Sequence, residues 1–396
     1  MVAGRHGAGS MIERSTGVWR LRVFIGRDAA GRPVQRQQTF RGGERAAAKE
    51  LASLVAKIEA GHFDRSQATV GELLDKWLEH IEGLGRRPST IAGYRAKIGH
   101  AIRPALGCVK LSKLRSDTLD ARYRAWTEDG LAPATVRQYH AIISAALHQA
   151  EKWDWIDRSP ARRATAPPAR QAPMHLPTPA QLSTMVRAAE DSDPLLAKSI
   201  ALAALTGMRR GELCALRWSD VDLEAGTIRV DRALTVIEGK AHLGPTKTHQ
   251  ARRVALDDVG VETLRRRRVE MEQLAGEAQS PLIDDPFVLS LNADGARPVN
   301  PDTLTHRFSA LCRKLEAPAR MRNRGRELKE SERWAFRFHD LRHFSVTTLI
   351  AAGVDVRTVA ERHGQAQATM TLNRYAHALP ERDRAAAVIL GRALTR

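Results

Sequence analysis

The chain has 396 residues, with 63 Lys and Arg against 45 Asp and Glu and a formal net charge of +18. Apolar residues make up 43%, which supplies real cores and excludes a disordered chain, and the length predicts two or three domains. No run of 18 apolar residues is present and the N-terminus lacks an apolar signal core, so neither a membrane span nor secretion is expected. Cys108, Cys214 and Cys312 form no metal-type pair and read as reduced thiols of a cytosolic protein. The basic residues are 51 Arg and 12 Lys, an excess that suits bidentate phosphate contacts and is equally well accounted for by genome composition.

Charge is not gathered in one tail. It is +6 over residues 1–66, +3 over 67–160, +3 over 161–177 and +6 over 178–396, the pattern expected if every module touches one polyanion. Residues 18–25 and 34–40 alternate apolar and polar around a turn rich in Gly, Pro and Asp, which reads as a hairpin, with a short strand at 10–14 before it. A helix over 44–60 backs this sheet. Arg20, Arg22 and Arg36, with Arg32 beside them, are placed on the open face, as a nucleic-acid contact or as a solubilising surface.

Thr69 and Glu72 form a capping box before helices at 70–82, 89–103, 117–129 and 133–152, a bundle with short loops. Residues 159–179 hold six Pro and three Arg and read as an extended linker at a domain boundary. Arg162 and Arg163 in it either track a phosphate backbone or are ordinary solvated charge. Thr178-Pro179 opens a third module. Helices are expected near 179–190, 194–206, 209–217, 258–276, 301–316, 339–352, 356–363, 369–375 and 381–393, with strands near 227–237, 241–247 and 252–256. No P-loop, Rossmann fingerprint or CxxC occurs. The HxxxH pair His339 and His343 lacks the Glu of a zinc-protease motif and has Arg342 between them, so no metal site is expected.

Chemistry gathers in the third module. Thr206-Gly207-Met208-Arg209-Arg210-Gly211-Glu212 is a helix, a Gly break and a new helix opening on Arg, an anion-binding arrangement. His339 and Arg342 share one face of a later helix, Thr246-Lys247-Thr248 sits at a β-turn, and Tyr375 follows Arg342 by 33 residues. Two Arg, a Lys, a His and a Tyr suffice for phosphoryl transfer. Arg forks neutralise the transition state, a tyrosyl oxygen attacks phosphorus, and Lys protonates the leaving oxygen.

In their joint order these segments resemble the tyrosine recombinases of the phage-integrase type. TGMRRGELCALRW is similar to the family's first box, HDLRHFSVTTL to the second, and ERHGQAQATMTLNRYAH to the block ending in the nucleophile. The resemblance implies a multidomain, mainly α fold with small β elements. Its parts are an N-terminal sheet-plus-helix arm-binding domain (1–66), a four-helix core-binding domain (67–160), a linker (161–177) and a mixed α/β catalytic domain with a C-terminal tail (178–396). It further implies Arg209 and Arg342 as phosphate-binding arginines, Lys247 as general acid for the 5′-oxygen, and His339 as an aid to proton transfer. Glu212 becomes a supporting carboxylate and Tyr375 the nucleophile that forms a 3′-phosphotyrosine. Such an ester conserves the energy of the broken phosphodiester, so no ATP, metal or other cofactor is expected.

Gln365 stands where the family usually has a second His, or Trp. Its amide can still donate to phosphate but cannot be cationic. His363, two positions earlier, reads as a partly buried, hydrogen-bonded residue rather than a replacement imidazole. The expected partners are double-stranded DNA attachment sites and three further copies of the chain in a tetramer on DNA. An accessory DNA-bending or directionality factor fits alongside them, and the expected location is the cytoplasm, at the nucleoid. The tail after Tyr375 packs either on a neighbouring protomer or on its own domain. Two rival functions remain at this stage: a DNA-binding regulator impaired in catalysis, which Gln365 favours, and a type IB topoisomerase, which the N-terminal modules argue against.

Overall fold

In the computed structural model the described residues are 9–27, 33–59, 68–168, 174–246, 251–324 and 326–365. The chain divides into two units, Met1–Ala172 and Pro173–Arg396. The first begins with an antiparallel sheet of β1 (Ser10–Ser15), β2 (Val18–Arg27) and β3 (Pro33–Arg41), followed by α1 (Glu44–Glu59). Leu21 and Val23 are buried with Ala47 and Leu54 of α1, and Trp19, Phe40 and Leu51 pack around them. Period two therefore sends Arg20 and Arg22 to the uncovered face. Position 36 pairs in register with Val23, and Gln38 Nε2 donates to Glu50 of α1 at 3.3 Å.

The helical part of this unit comprises α2 (Val70–Gly83), α3 (Pro88–Lys97), α4 (Arg103–Leu106), α5 (Ser116–Glu128) and α6 (Pro133–Lys152). Thr69 N–H donates to Glu72 Oε2 at 2.7 Å and Glu72 N–H returns to Thr69 Oγ1 at 3.3 Å, closing the capping box. The helix expected over 89–103 is interrupted by a π-turn at Ile98–Ile102, where Arg103 N–H reaches back to the Ile98 carbonyl. Pro104 has no N–H for the regular ladder, and the wider turn absorbs that loss. Leu73, Trp77, Ile102, Leu119, Tyr123, Ile143 and Leu147 lie in one buried core. The proline-rich stretch does not leave this core at residue 161. Pro160–Arg162 forms a 3₁₀ turn with Ala161 buried, and Thr165 N–H bonds Asp120 at 2.6 Å. Arg162 pairs with Glu151 at 3.1 Å, and Arg163 is exposed.

The second unit contains α7 (Pro179–Glu190), α8 (Pro194–Thr206), α9 (Arg210–Cys214), β4 (Val221–Asp222), β5 (Thr227–Val230), β6 (Arg232–Ile237), β7 (Lys240–Pro245) and β8 (Arg252–Ala255). These are followed by α10 (Asp258–Glu277), α11 (Pro301–Asn323), α12 (Asp340–Ala351) and α13 (Val356–Arg362). Thr178 caps α7 through Gln181, with Pro179 at its first position. The expected strand 227–237 is two strands divided at Asp231. β5 lies between β4 and β8, whereas β6 pairs with β7. The strands flanking residues 247–250 thus belong to different sheets and are not the two arms of a hairpin. The expected helix 209–217 is shorter, because Arg217 bridges to Phe287 instead. α11 runs past 316 and through Pro318, held by buried Leu311, Cys312 and Ala319. Ile200, Leu202, Leu213, Ile228, Val254, Phe308 and Leu341 share the main core. No helix among the described residues is long and apolar enough to cross a membrane.

Candidate active site

α8 ends at Gly207, whose φ of 62° is left-handed and lets the chain turn abruptly into Met208 and Arg209. Arg209 immediately precedes α9, so Glu212 lies one turn further on. Glu212 accepts from the Arg209 backbone N–H at 2.9 Å and from Arg209 Nη1 at 2.7 Å. It is 1% exposed and also accepts from both terminal guanidinium nitrogens of Arg252, at 2.7 and 3.2 Å. Burial pushes the Glu212 carboxyl up, but hydrogen bonds and charge from Arg252, then from Arg209, hold it below its ordinary range.

Two carbonyl-bearing segments receive the remaining guanidinium donors. Arg209 Nη2 donates to the Gly364 carbonyl at 3.0 Å. Arg342, buried near the start of α12, donates from Nη1 to the Gly207 carbonyl at 2.6 Å and from Nη2 to the His363 carbonyl at 2.5 Å. Residues separated by 133 positions in sequence therefore hang on one turn, through the adjacent His363 and Gly364 carbonyls. His339 immediately precedes α12, with its ring 4.8 Å from that of His343 in an edge-on contact. Partial desolvation, followed by the charges of Arg342, Arg209 and Arg337, holds its imidazole below the ordinary value, although the residue keeps an exposed surface. A neutral imidazole beside two arginines is suited to proton exchange.

His363 is fully buried. Its Nδ1 donates to the Val359 carbonyl at 2.8 Å, which leaves Nε2 to accept from Ser345 Oγ at 3.2 Å. Burial, and then Arg342, push its pKa down to about 3. It is a neutral packing residue, as its reading from sequence holds, and does not present its ring in place of the missing imidazole. Gln365 follows Gly364 directly and donates its backbone N–H to the Ala360 carbonyl at 2.9 Å. Lys247 and Tyr375 lie outside the described residues. Arg20, Arg22, Arg36, Arg162 and Arg163 belong to the first unit.

Arg252 is the participant that sequence reading missed. It opens β8, and strand parity turns Arg253 outward and Arg252 inward, with its side chain 8% exposed. A second missed network holds β5 and β6 below the site: Asp220 takes Arg232 Nη2 at 2.7 Å and Arg229 Nη2 at 3.0 Å. Among the described residues, Arg209 and Arg252 both pair with Glu212, and the buried Arg342 adds a third guanidinium, an arrangement that suits an anion.

A sequence model described as the phage integrase family matches residues 177–382, and one described as the phage integrase N-terminal SAM-like domain matches 69–126. The chain belongs to the phage integrase family. Every residue of the cluster above, together with Lys247 and Tyr375, falls inside the larger match. The chain is similar to a tyrosine recombinase XerC-like protein of Caldanaerobacter subterraneus subsp. tengcongensis, 22% identical over 381 residues that cover 92% of this chain and 93% of that one. It is also similar to the ICEBs1 integrase of Bacillus subtilis, at 24% identity over 65% of each chain. Among solved structures, an integrase of transposon Tn1549 in complex with a circular intermediate DNA superposes with a TM-score of 0.66. That match has 22% identity and covers 82% of this chain and 99% of that one. A lambda integrase tetramer bound to a Holliday junction superposes at 0.54, with 20% identity and coverage of 91% and 96%. At these identities the structures establish a shared fold. As a phage integrase family member, the chain is a tyrosine-type recombinase.

Proposed function

We propose that this chain is the integrase of a phage or other mobile element, cutting and rejoining DNA at attachment sites through a 3′-phosphotyrosine on Tyr375. One observation carries the reading: Arg209 and Arg342, from distant boxes, converge on the Gly207 and His363–Gly364 carbonyls with Glu212 behind them. Two guanidinium groups so anchored can neutralise a pentacoordinate phosphorane without reorganising. The Tyr375 oxygen attacks phosphorus, the bond to the 5′-oxygen breaks, and Lys247 delivers the proton that the leaving oxygen needs. His339 exchanges protons beside the phosphate. Attack by a 5′-hydroxyl on the tyrosyl ester reverses the step and joins a new partner strand.

The residue 1–66 module serves as an arm-site reader and the 67–160 bundle as a core-site clamp, with four protomers assembling on paired sites. The fold shared with the lambda integrase tetramer supports that assembly. The test is covalent capture on DNA from the flanks of the gene. Wild type forms a protein–DNA adduct that survives denaturation, and Tyr375→Phe binds equally well and forms none. An adduct retained by the Phe variant removes Tyr375 from the role.

A further inference from the structure

We infer that Arg252 is a positioning residue for this reaction, tying the carboxylate that orients Arg209 to the turn that receives both phosphate-binding arginines. The inference rests on the recombinase reading above. The geometry is a chain of contacts through one buried side chain. Arg252 Nη1 and Nη2 fork onto Glu212 Oε1 and Oε2 at 3.2 and 2.7 Å. Its third guanidinium nitrogen, Nε, donates to the Arg362 carbonyl at 2.9 Å. The next two carbonyls, of His363 and Gly364, are those that receive Arg342 Nη2 and Arg209 Nη2.

Each of these contacts has a consequence. Glu212 bound by Arg209 alone is held from one side only, by the Arg209 backbone N–H and Nη1. A planar fork from the opposite side fixes the carboxylate plane. The turn is shaped to accept that fork: Gly364 has a φ of 59°, and a Cβ there would lie 2.9 Å from Arg252 Nη1. The guanidinium therefore lies against bare backbone. Arg252 also stands five positions after Lys247 at the head of β8, so the same contacts anchor the strand that leaves the lysine segment. All three guanidinium nitrogens are bonded within the protein, to Glu212 and to the Arg362 carbonyl, which makes Arg252 a positioning residue and not a phosphate ligand.

The alternative is a buried ion pair that only holds the fold. The two roles separate on a substrate whose scissile phosphate is a methylphosphonate, which is neutral and makes less demand on a correctly aimed Arg209. Single-turnover cleavage is measured on diester and methylphosphonate suicide DNA for wild type, Arg252→Met and Arg252→Lys. A double variant, Arg252→Gln with Glu212→Gln, replaces the ion pair by two neutral amides, so that no buried carboxylate is stranded and a folded protein is at hand if Arg252→Met fails to fold. On the diester, Arg252→Met and the double variant are expected to slow cleavage by about 10²-fold, the scale of one misplaced transition-state donor. Arg252→Lys stays at least ~10-fold below wild type, since one ammonium cannot span both oxygens and the Arg362 carbonyl. On the methylphosphonate the deficits shrink several-fold, and DNA affinity is unchanged throughout. Equal losses on both substrates, or full recovery with Lys, overturn the positioning role alone. Failure of wild type to form a Tyr375-linked adduct overturns the recombinase reading, and this inference falls with it.

Discussion

Gly207 and His363 interlock. A Cβ added at Gly207 would lie 2.2 Å from His363 Nε2, and the imidazole occupies the space that a side chain there would need. The same two residues supply the carbonyls that hold Arg342, at 2.6 and 2.5 Å. Their packing and the placing of a candidate phosphate ligand are thus one structural fact.

Gly207→Ala tests it. The left-handed φ of 62° strains any L side chain, and His363, fully buried and bonded at both ring nitrogens, cannot retreat. Strain of about 1–2 kcal/mol adds to overpacking of about 1–3 kcal/mol. The urea midpoint should fall accordingly, and DNA cleavage should drop with it because Arg342 loses its seats. An alanine variant within ~0.5 kcal/mol of wild type, inside the range of ordinary surface changes, shows that the turn has room after all.

The buried, neutral state of His363 makes stability depend on pH. Its pKa is about 3 in the fold against an ordinary value of 6.5. Between those values the unfolded chain binds a proton that the native state refuses, so stability is full above pH 6.5 and falls as pH falls toward 3. From pH 7 to pH 5 the loss from this one residue is about 2 kcal/mol. Carboxylates such as Glu212, held below 4.5, lose their contribution only at lower pH. The gap between urea midpoints at pH 7 and 5 should therefore be smaller in His363→Gln than in wild type, with the remainder left to other histidines held below their ordinary value, such as His339. An undiminished difference in the variant assigns the pH dependence to other groups.

Local chemistry made much of this fold readable, and it failed where partners are distant. The Thr69–Glu72 box, Thr178-Pro179 and the apolar spacing of 133–152 and 194–206 place their helices without tertiary information. The division of 227–237 at Asp231 has no local signal, because it arises from β6 choosing β7 while β5 chooses β8. In the site, Arg209, Glu212, His339 and Arg342 lie in recognisable boxes. Arg252 does not, since two adjacent arginines in a short strand look like a solvated surface until Glu212 is seen opposite one of them.

The role proposed for Lys247 is open to a chemical test that needs no view of its side chain. A general acid matters only while the leaving group is poor. Lys247→Ala should stall cleavage of ordinary DNA and recover most of its rate on a substrate with sulfur at the 5′-bridging position, since a thiolate departs without a proton. If both substrates are equally slow, Lys247 serves binding instead.

Gln365 tests how complete the site is. It follows Gly364, whose carbonyl holds Arg209, so its position adjoins the proposed phosphate pocket. The neighbouring His363 ring is turned into the core with both nitrogens engaged, so no imidazole from this segment compensates for the amide. If the Gln365 amide donates to a non-bridging oxygen in the transition state, Gln365→Ala should lower single-turnover cleavage by ~10²–10³-fold, the effect of one missing oxyanion donor. Gln365→His should preserve or raise the rate and bring in a pH dependence near about 6.5, where an imidazole gains its charge. DNA affinity should barely change in either variant, because one contact is lost among many along the phosphate backbone. An alanine variant that cleaves like wild type removes Gln365 from the donor set. If His then accelerates cleavage by roughly a thousandfold, beyond what one donor ordinarily supplies, the chain is a recombinase running well below the capacity of its own scaffold.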